Sequence, residues 1–196
     1  KGHLREDYLL VGAFEPTQWG SGMSDIMEWV YKGHTLIIVD NAERWAEFLA
    51  DKEVLDYRGS KKLGTAWYGG NFFNREHPIF DGLPVNCVFN WEYQCFATYN
   101  RHRVGLRCFN GETLVACVSD HKKRSLFCLV CYSGRSWEII ITTLDIPACI
   151  KDVKAYTVPV DLDGVNESMN TFNTKSENRA NVVGQQLLLN LIKESN

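Results

Sequence analysis

The sequence predicts an α/β domain in which a small parallel sheet with covering helices is extended by antiparallel hairpins. Two observations predict it. From Tyr8 to Leu49, short apolar runs alternate with amphipathic helical patterns, the arrangement of strand–helix–strand units on a parallel sheet. After Arg103, apolar runs are separated by turn residues at the spacing of hairpins. The 196 residues are 45% hydrophobic and 23% charged, the balance of an ordinary globular chain with material for its own core.

The elements follow in order. Tyr8-Leu9-Leu10-Val11 is a short apolar run ahead of Glu15-Pro16, which suits a buried strand. After a loop from Gln18 to Gly22, Ser24 or Asp25 caps a helix with Ile26, Trp29 and Val30 on one face. Gly33 suits the turn that ends it. Leu36-Ile37-Ile38-Val39 is apolar without alternation, as in a strand covered on both faces. Asn41 caps a second helix with Trp45, Phe48 and Leu49 inward. Residues 57–100 are rich in Gly, Asn and aromatics with no sustained period, and are expected to form a long, partly ordered loop region. Two hairpins follow. One joins Val104–Phe109 to Thr113–Ser119 through Asn110-Gly111, with positive φ expected at both turn residues. The other joins Ser125–Tyr132 to Trp137–Thr143 through Ser133-Gly134-Arg135-Ser136. Residues 159–178 are polar and loop-like. A final helix from about Arg179 to Lys193 places Ala180, Val183, Leu187 and Leu191 on one stripe.

Several functions are set aside on composition and motif. A net charge of −3 gives no field that would gather nucleic acid, and Arg101-His102-Arg103 and Lys122-Lys123-Arg124 are short basic clusters in an acidic chain. No apolar run is long enough to span a bilayer. The start at Lys1, without Met or a signal-peptide pattern, is read as a boundary with sequence missing upstream. The seven cysteines (Cys87, Cys95, Cys108, Cys117, Cys128, Cys131 and Cys149) lie mostly within hydrophobic runs, which suits small buried apolar residues better than a disulfide framework. Cys128-Leu129-Val130-Cys131 has the C-x-x-C spacing. In a strand, however, that spacing sends the two sulfurs to opposite faces, so a reduced, metal-free pair is expected.

Gly-x-Ser-x-Gly, Gly-x-Cys-x-Gly, the Walker loop and Gly-x-Gly-x-x-Gly are all absent, which removes the nucleophile elbow and the phosphate cradles. Asp161, Asp163, Gly164, Asn166 and Glu167 form a weakly calcium-like cluster without EF-hand spacing. Asp120-His121 sits in a polar hairpin connection rather than a catalytic dyad. No cofactor or metal is expected. The most suggestive stretch is Asn90-Trp91-Glu92-Tyr93-Gln94. Aromatic faces stack on sugar C–H surfaces and carboxylates bond hydroxyls, so Trp67, Trp91, Glu92 and Tyr93 are the candidate residues for contact with carbohydrate or with a neighbouring domain. Glu76, Asp81 and Glu92 are carboxylates of the type that glycoside hydrolysis uses, with nothing in their spacing to bring them together.

Three segments carry a resemblance. Trp29 to Val39 resembles the helix–Gly–strand unit of class I glutamine-amidotransferase-like domains. His77-Pro78-Ile79-Phe80-Asp81-Gly82-Leu83-Pro84 resembles the HPxFxGLP segment of such domains when they are attached to glycosidases. Ile139 to Asp145, with Gln185 to Leu191 far downstream, resembles their closing strand and LLxNL helix. Together these are similar to the C-terminal accessory domain of bacterial family 2 glycoside hydrolases of β-galactosidase-like type. The resemblance implies a three-layer α/β fold, flavodoxin-like or amidotransferase-like, over residues 1–196, with its first strand expected upstream. It implies a non-catalytic structural or interaction role in carbohydrate metabolism. The implied partners are the other domains of the parent glycosidase, a glycan or a second copy, in a periplasmic or extracellular compartment. The elbow Cys and the His-x-Glu pair of active amidotransferases are absent here: two residues after each His stand Arg5, Leu36, Ile79, Val104 and Lys123. The alternatives are a carbohydrate-binding module and a free-standing hydrolase acting on glycosides.

Overall fold

The computed structural model describes residues 7–14, 16, 20–62, 72–86, 93, 96, 104–108, 110–119, 124–134, 136–151 and 183–193. Their elements run β1 (Tyr8–Val11), α1 (Gly22–Tyr31), β2 (Thr35–Ile38), α2 (Ala42–Asp51), β3 (Tyr57–Lys62), β4 (Phe72–Asn74), β5 (Val104–Cys108), β6 (Glu112–Ser119), β7 (Arg124–Ser133), β8 (Glu138–Thr142) and α3 (Ile146–Lys151). Residues 183–193 are helical and are called α4.

The strands form one mixed sheet in the order β1-β2-β8-β7-β5-β3, with β6 alongside β7 and β4 beyond β6. Its parallel part is β1-β2-β8, with Leu10 opposite Ile37 and Ile37 opposite Ile140. From β7 onward the pairing is antiparallel. β2 and β8 read as continuous apolar runs because both faces are covered. The strand period sends Leu36, Ile38, Ile139 and Ile141 one way, onto Ile26, Val30, Trp45 and Leu49 of α1 and α2. It sends Ile37 and Ile140 the other way, onto Leu187 and Leu191 of α4 and onto Ile79 and Phe80. Two apolar layers therefore flank the sheet, each built on alternate residues of the same strands.

Local chemistry explains the element ends. Gly33 takes φ 112° after α1, and a Cβ there would press on the Ser136 carbonyl, so the residue serves both the turn and a close approach. α2 is held to the chain before it by Trp45, whose indole N–H donates to the Phe14 carbonyl at 3.0 Å. The hairpin β7–β8 closes with Ser133 opposite Glu138, as the sequence predicts. β6 and β7 pair antiparallel with Ser119 opposite Arg124; Asp120, His121 and the rest of the segment between them lie outside the described residues.

Four expectations need correction. The N-cap position of α1 is Ser21, and Ser24 and Asp25 lie within the helix. Asn110-Gly111 does not close a hairpin: β5 pairs with β3 and β7, and β6 pairs with β4 and β7, but β5 and β6 are not partners. Gly111 alone of the two takes positive φ, at 89°, and the Asn110 amide is engaged with the backbone of Val54 and Asp56. The stretch 57–100 is not simply a loop, since it supplies β3, β4 and a short 3-10 turn at Pro78–Phe80, and it buries Tyr93 and Phe96. β3 (Tyr-Arg-Gly-Ser-Lys-Lys) lacks apolar alternation because it ends the strand order, where charge is the usual guard of an edge. α3 carries no sequence expectation; it is short and begins Ile146-Pro147. Ala180 and the acidic cluster from Asp161 to Glu167 lie outside the described residues.

Candidate functional site

The parallel strands β2 and β8 lie side by side, yet the chain leaves them toward opposite faces. After β2 it enters α2, whose Ala42, Trp45, Ala46 and Leu49 join the layer of Leu36 and Ile38. After β8, Leu144 and Ile146 join the opposite layer with Ile37 and Ile140. Such a divergence opens a crevice beyond the carboxyl ends of the strands, where open α/β sheets bind their ligands. A cleft of about 250 Å³ lies there.

Its polar wall is Asp40, Asn41, Glu43, Thr142, Thr143 and Asp145, and its apolar wall is Val39, Ala42, Val104 and Leu144. The strand-to-helix turn is tight. Asn41 adopts the left-handed conformation (φ 49°, ψ 31°) and occupies the N-cap position of α2, but its side chain does not cap the helix. Its N–H instead donates to the carboxylate of Asp40 at 2.7 Å. Ser60 of β3 donates its hydroxyl to the Glu43 carboxylate, tying the first turn of α2 to the edge strand. Thr142 is buried and accepts the Leu144 N–H at 3.0 Å, which turns the chain out of β8. The Thr143 hydroxyl is shielded from solvent and meets no hydrogen-bond partner among the described residues.

The N-terminus of a helix ordinarily favours an anion. Here Asp40 and Glu43 flank the α2 N-terminus, Asp145 lines the same cleft, and no described residue of the lining is basic. The cleft therefore repels anions and offers acceptors to hydroxyl or ammonium donors. Among the described residues no group of His, Cys, Asp or Glu converges to hold a metal ion. Beside the cleft, burial pushes the Tyr57 phenol above its ordinary range; a Ser60 hydrogen bond partly offsets this and the Glu43 and Glu47 carboxylates reinforce it.

Of the residues singled out for contact, Trp67, Trp91 and Glu92 lie outside the described residues. Tyr93 is corrected. It is fully buried, meets Phe80 edge to face, and donates its hydroxyl to the Pro84 carbonyl at 2.5 Å, so its ring presents no face to a partner. Glu76 is exposed and bonded to Asn86, and Asp81 serves through its carbonyl; neither lines the cleft. Cys108 and Cys117 are buried, as small apolar residues would be. Cys128 and Cys131 both lie on β7. The sequence reading missed Asp40, Glu43 and Asp145. The signal available was position: Asp40 follows the Leu36–Val39 run by one residue, and Asp145 follows β8 closely, where a switch point puts its chemistry.

A second feature joins segments far apart in the sequence. Asn190 of α4 is buried, and its amide donates to the carbonyls of Ile79 at 2.8 Å and Asp81 at 2.9 Å. Its oxygen accepts from Gln186 at 2.7 Å. His77 accepts the Ile79 N–H through Nδ1, and Asn74 donates to the Pro84 carbonyl at 2.7 Å. No helix among the described residues is long and apolar enough to cross a membrane. No family model, no curated protein and no solved structure matches the chain.

Proposed function

We infer that this chain is a non-catalytic, three-layer domain of flavodoxin-like or class I glutamine-amidotransferase-like kind, serving a glycoside hydrolase of β-galactosidase-like type by supporting its other domains. The observation that carries the reading is convergence. The segments His77–Pro84, Ile139–Asp145 and Gln185–Leu191 resemble the same family in the same order, and they meet in one core, where Ile79, Phe80, Ile140, Leu144, Leu187 and Leu191 pack together and Asn190 fastens the first segment to the last. Independent motifs that resemble a family by accident have no reason to share a core.

A second reading, a carbohydrate-binding module, draws on the switch-point cleft, whose carboxylates, amide and hydroxyls are the acceptors that sugar hydroxyls use. One set of measurements separates the readings. The chain alone is assayed on nitrophenyl glycosides and on glutamine, then titrated calorimetrically with free monosaccharides. The support reading expects no turnover and no saturable heat. Saturable heat that Asp145→Asn weakens favours the binding module. Turnover that disappears on mutating a residue of this chain overturns both.

A further inference from the structure

Asn110-Gly111 is the one Asn–Gly step in the sequence, and the structure gives it work other than closing a hairpin. Asn110 is exposed, yet both ends of its amide are engaged. Its Oδ1 accepts the Asp56 N–H at 2.8 Å, and its Nδ2 donates to the Val54 carbonyl at 3.0 Å. One side chain thus pairs with the segment between α2 and β3 as a neighbouring strand would, and clips it to the turn between β5 and β6.

The same dipeptide is chemically labile. Gly111 has no Cβ to obstruct approach along its backbone, and at φ 89° it already occupies a conformation few other residues adopt. Its backbone nitrogen can lose a proton to hydroxide and bond to Asn110 Cγ. The Cγ–Nδ2 bond then breaks and the nitrogen leaves as ammonia, taking its third proton from water and so regenerating the hydroxide. Water adds to either carbonyl of the resulting succinimide and opens the ring, leaving an aspartyl or isoaspartyl residue. Water is the only co-reactant and nothing is oxidised.

We propose that Asn110 is a spontaneous deamidation site gated by its own clip to Val54 and Asp56. With both hydrogen bonds made, the amide is held at its two ends on the 54–56 segment and is not free to turn its face to the Gly111 nitrogen. When the clip opens, the amide reacts, and the product cannot close it again. A carboxylate keeps an acceptor for the Asp56 N–H but sets an oxygen against the Val54 carbonyl where a donor stood. The isoaspartyl form also lengthens the backbone between β5 and β6. The site is therefore a one-way latch on the approach to β3.

The test follows conversion by peptide mapping and mass spectrometry in mildly alkaline buffer, for the folded protein, for the same protein in urea, and for Asn110→Gln, which identifies the signal. The folded protein is expected to convert at Asn110 more slowly than the urea-unfolded chain by roughly thirtyfold, the Boltzmann factor of two ordinary net hydrogen bonds. Asn110→Asp is expected to melt below the unmodified protein. Equal rates in the folded and unfolded chains overturn the gating. So does the absence of folded-state conversion over a time in which the unfolded chain converts completely many times over, since only global unfolding would then release the site. An Asn110→Asp protein that melts with the unmodified one overturns the latch.

Discussion

Replacing Asn190 with Leu tests whether the junction of α4 with the 77–84 segment holds this face of the sheet together. The substitution keeps the size and branching of the side chain and removes its polar atoms. Two donors are lost, to Ile79 at 2.8 Å and to Asp81 at 2.9 Å. The Ile79 carbonyl lies in a fully buried residue, so it bears the whole desolvation cost, about 1–3 kcal/mol. Asp81 is exposed, and its carbonyl can recover water for a smaller loss. Gln186 is half-buried and can turn to solvent. The expected destabilisation is about 2–4 kcal/mol, read from urea or thermal unfolding. For a chain of 196 residues that is a fall in Tm of roughly 5–12 °C. Asn190→Asp serves as the control. At neutral pH it faces a carboxylate toward two carbonyls and should lose more than Asn190→Leu; as pH falls, protonation restores one donor and the gap should narrow. A loss below about 1 kcal/mol for Asn190→Leu, or no narrowing with acid for Asn190→Asp, would mean that the two carbonyls are satisfied without this amide.

Two further outcomes follow from local geometry. A Cβ on Gly134 would collide with the Trp137 indole, so Gly134→Ala should displace that ring from its edge-to-face contact with Tyr31 and cost about 1–3 kcal/mol; in a Trp137→Ala background the same change should be near neutral, and an undiminished loss there would place the strain elsewhere. Tyr57 has its phenol raised above the ordinary value of 10.0, chiefly by burial. The unfolded phenol then ionises before the folded one, so this residue's contribution is intact below the ordinary value and is lost as pH climbs through the folded one. Stability measured against alkaline pH should fall less steeply in Tyr57→Phe, and equal slopes would show that the phenol titrates alike in both states.

The layered centre of the molecule was legible because its signals are local and redundant. Leu36–Val39 is apolar at every position, and α1 and α2 repeat their large residues on one face, so pattern and burial point the same way. The Ser133–Ser136 connection and the stripe of Val183, Leu187 and Leu191 were legible for the same reason. β3 and β4 were not. An edge strand needs only one partner and one sheltered face, so it tolerates Arg58, Lys61 and Lys62 in sequence, and no apolar period survives to be read. At Asn110-Gly111 the chain bends as the signal implies, but the two-residue turn with positive φ at both positions and the hairpin it would close are not formed. A tight turn fixes a change of direction, whereas pairing is decided by which strands compete for each edge, and β7 took both β5 and β6.

The site was less legible than the fold, and the reason is geometric. Aromatic content draws the reading to Tyr93, but a ring is as useful in a core as at a surface, and here its hydroxyl accepts from Asn74 and donates to the Pro84 carbonyl inside the protein. The cleft, by contrast, is assembled from residues that look ordinary one at a time. Asp40 and Glu43 flank the N-terminus of α2, while Asp145 stands more than a hundred residues away in the chain. They come together only because β8 inserts beside β2 in parallel register, Ile38 opposite Ile141, and because the two strands then send the chain to opposite faces. Neither fact has a local signature: the register depends on a pairing across the whole intervening chain, and the divergence on which layer has room for each following segment. What the sequence did offer was the terminal position of Asp40 and Asp145 after buried apolar strands, and in an α/β sheet that position is where charged residues are most often put to use.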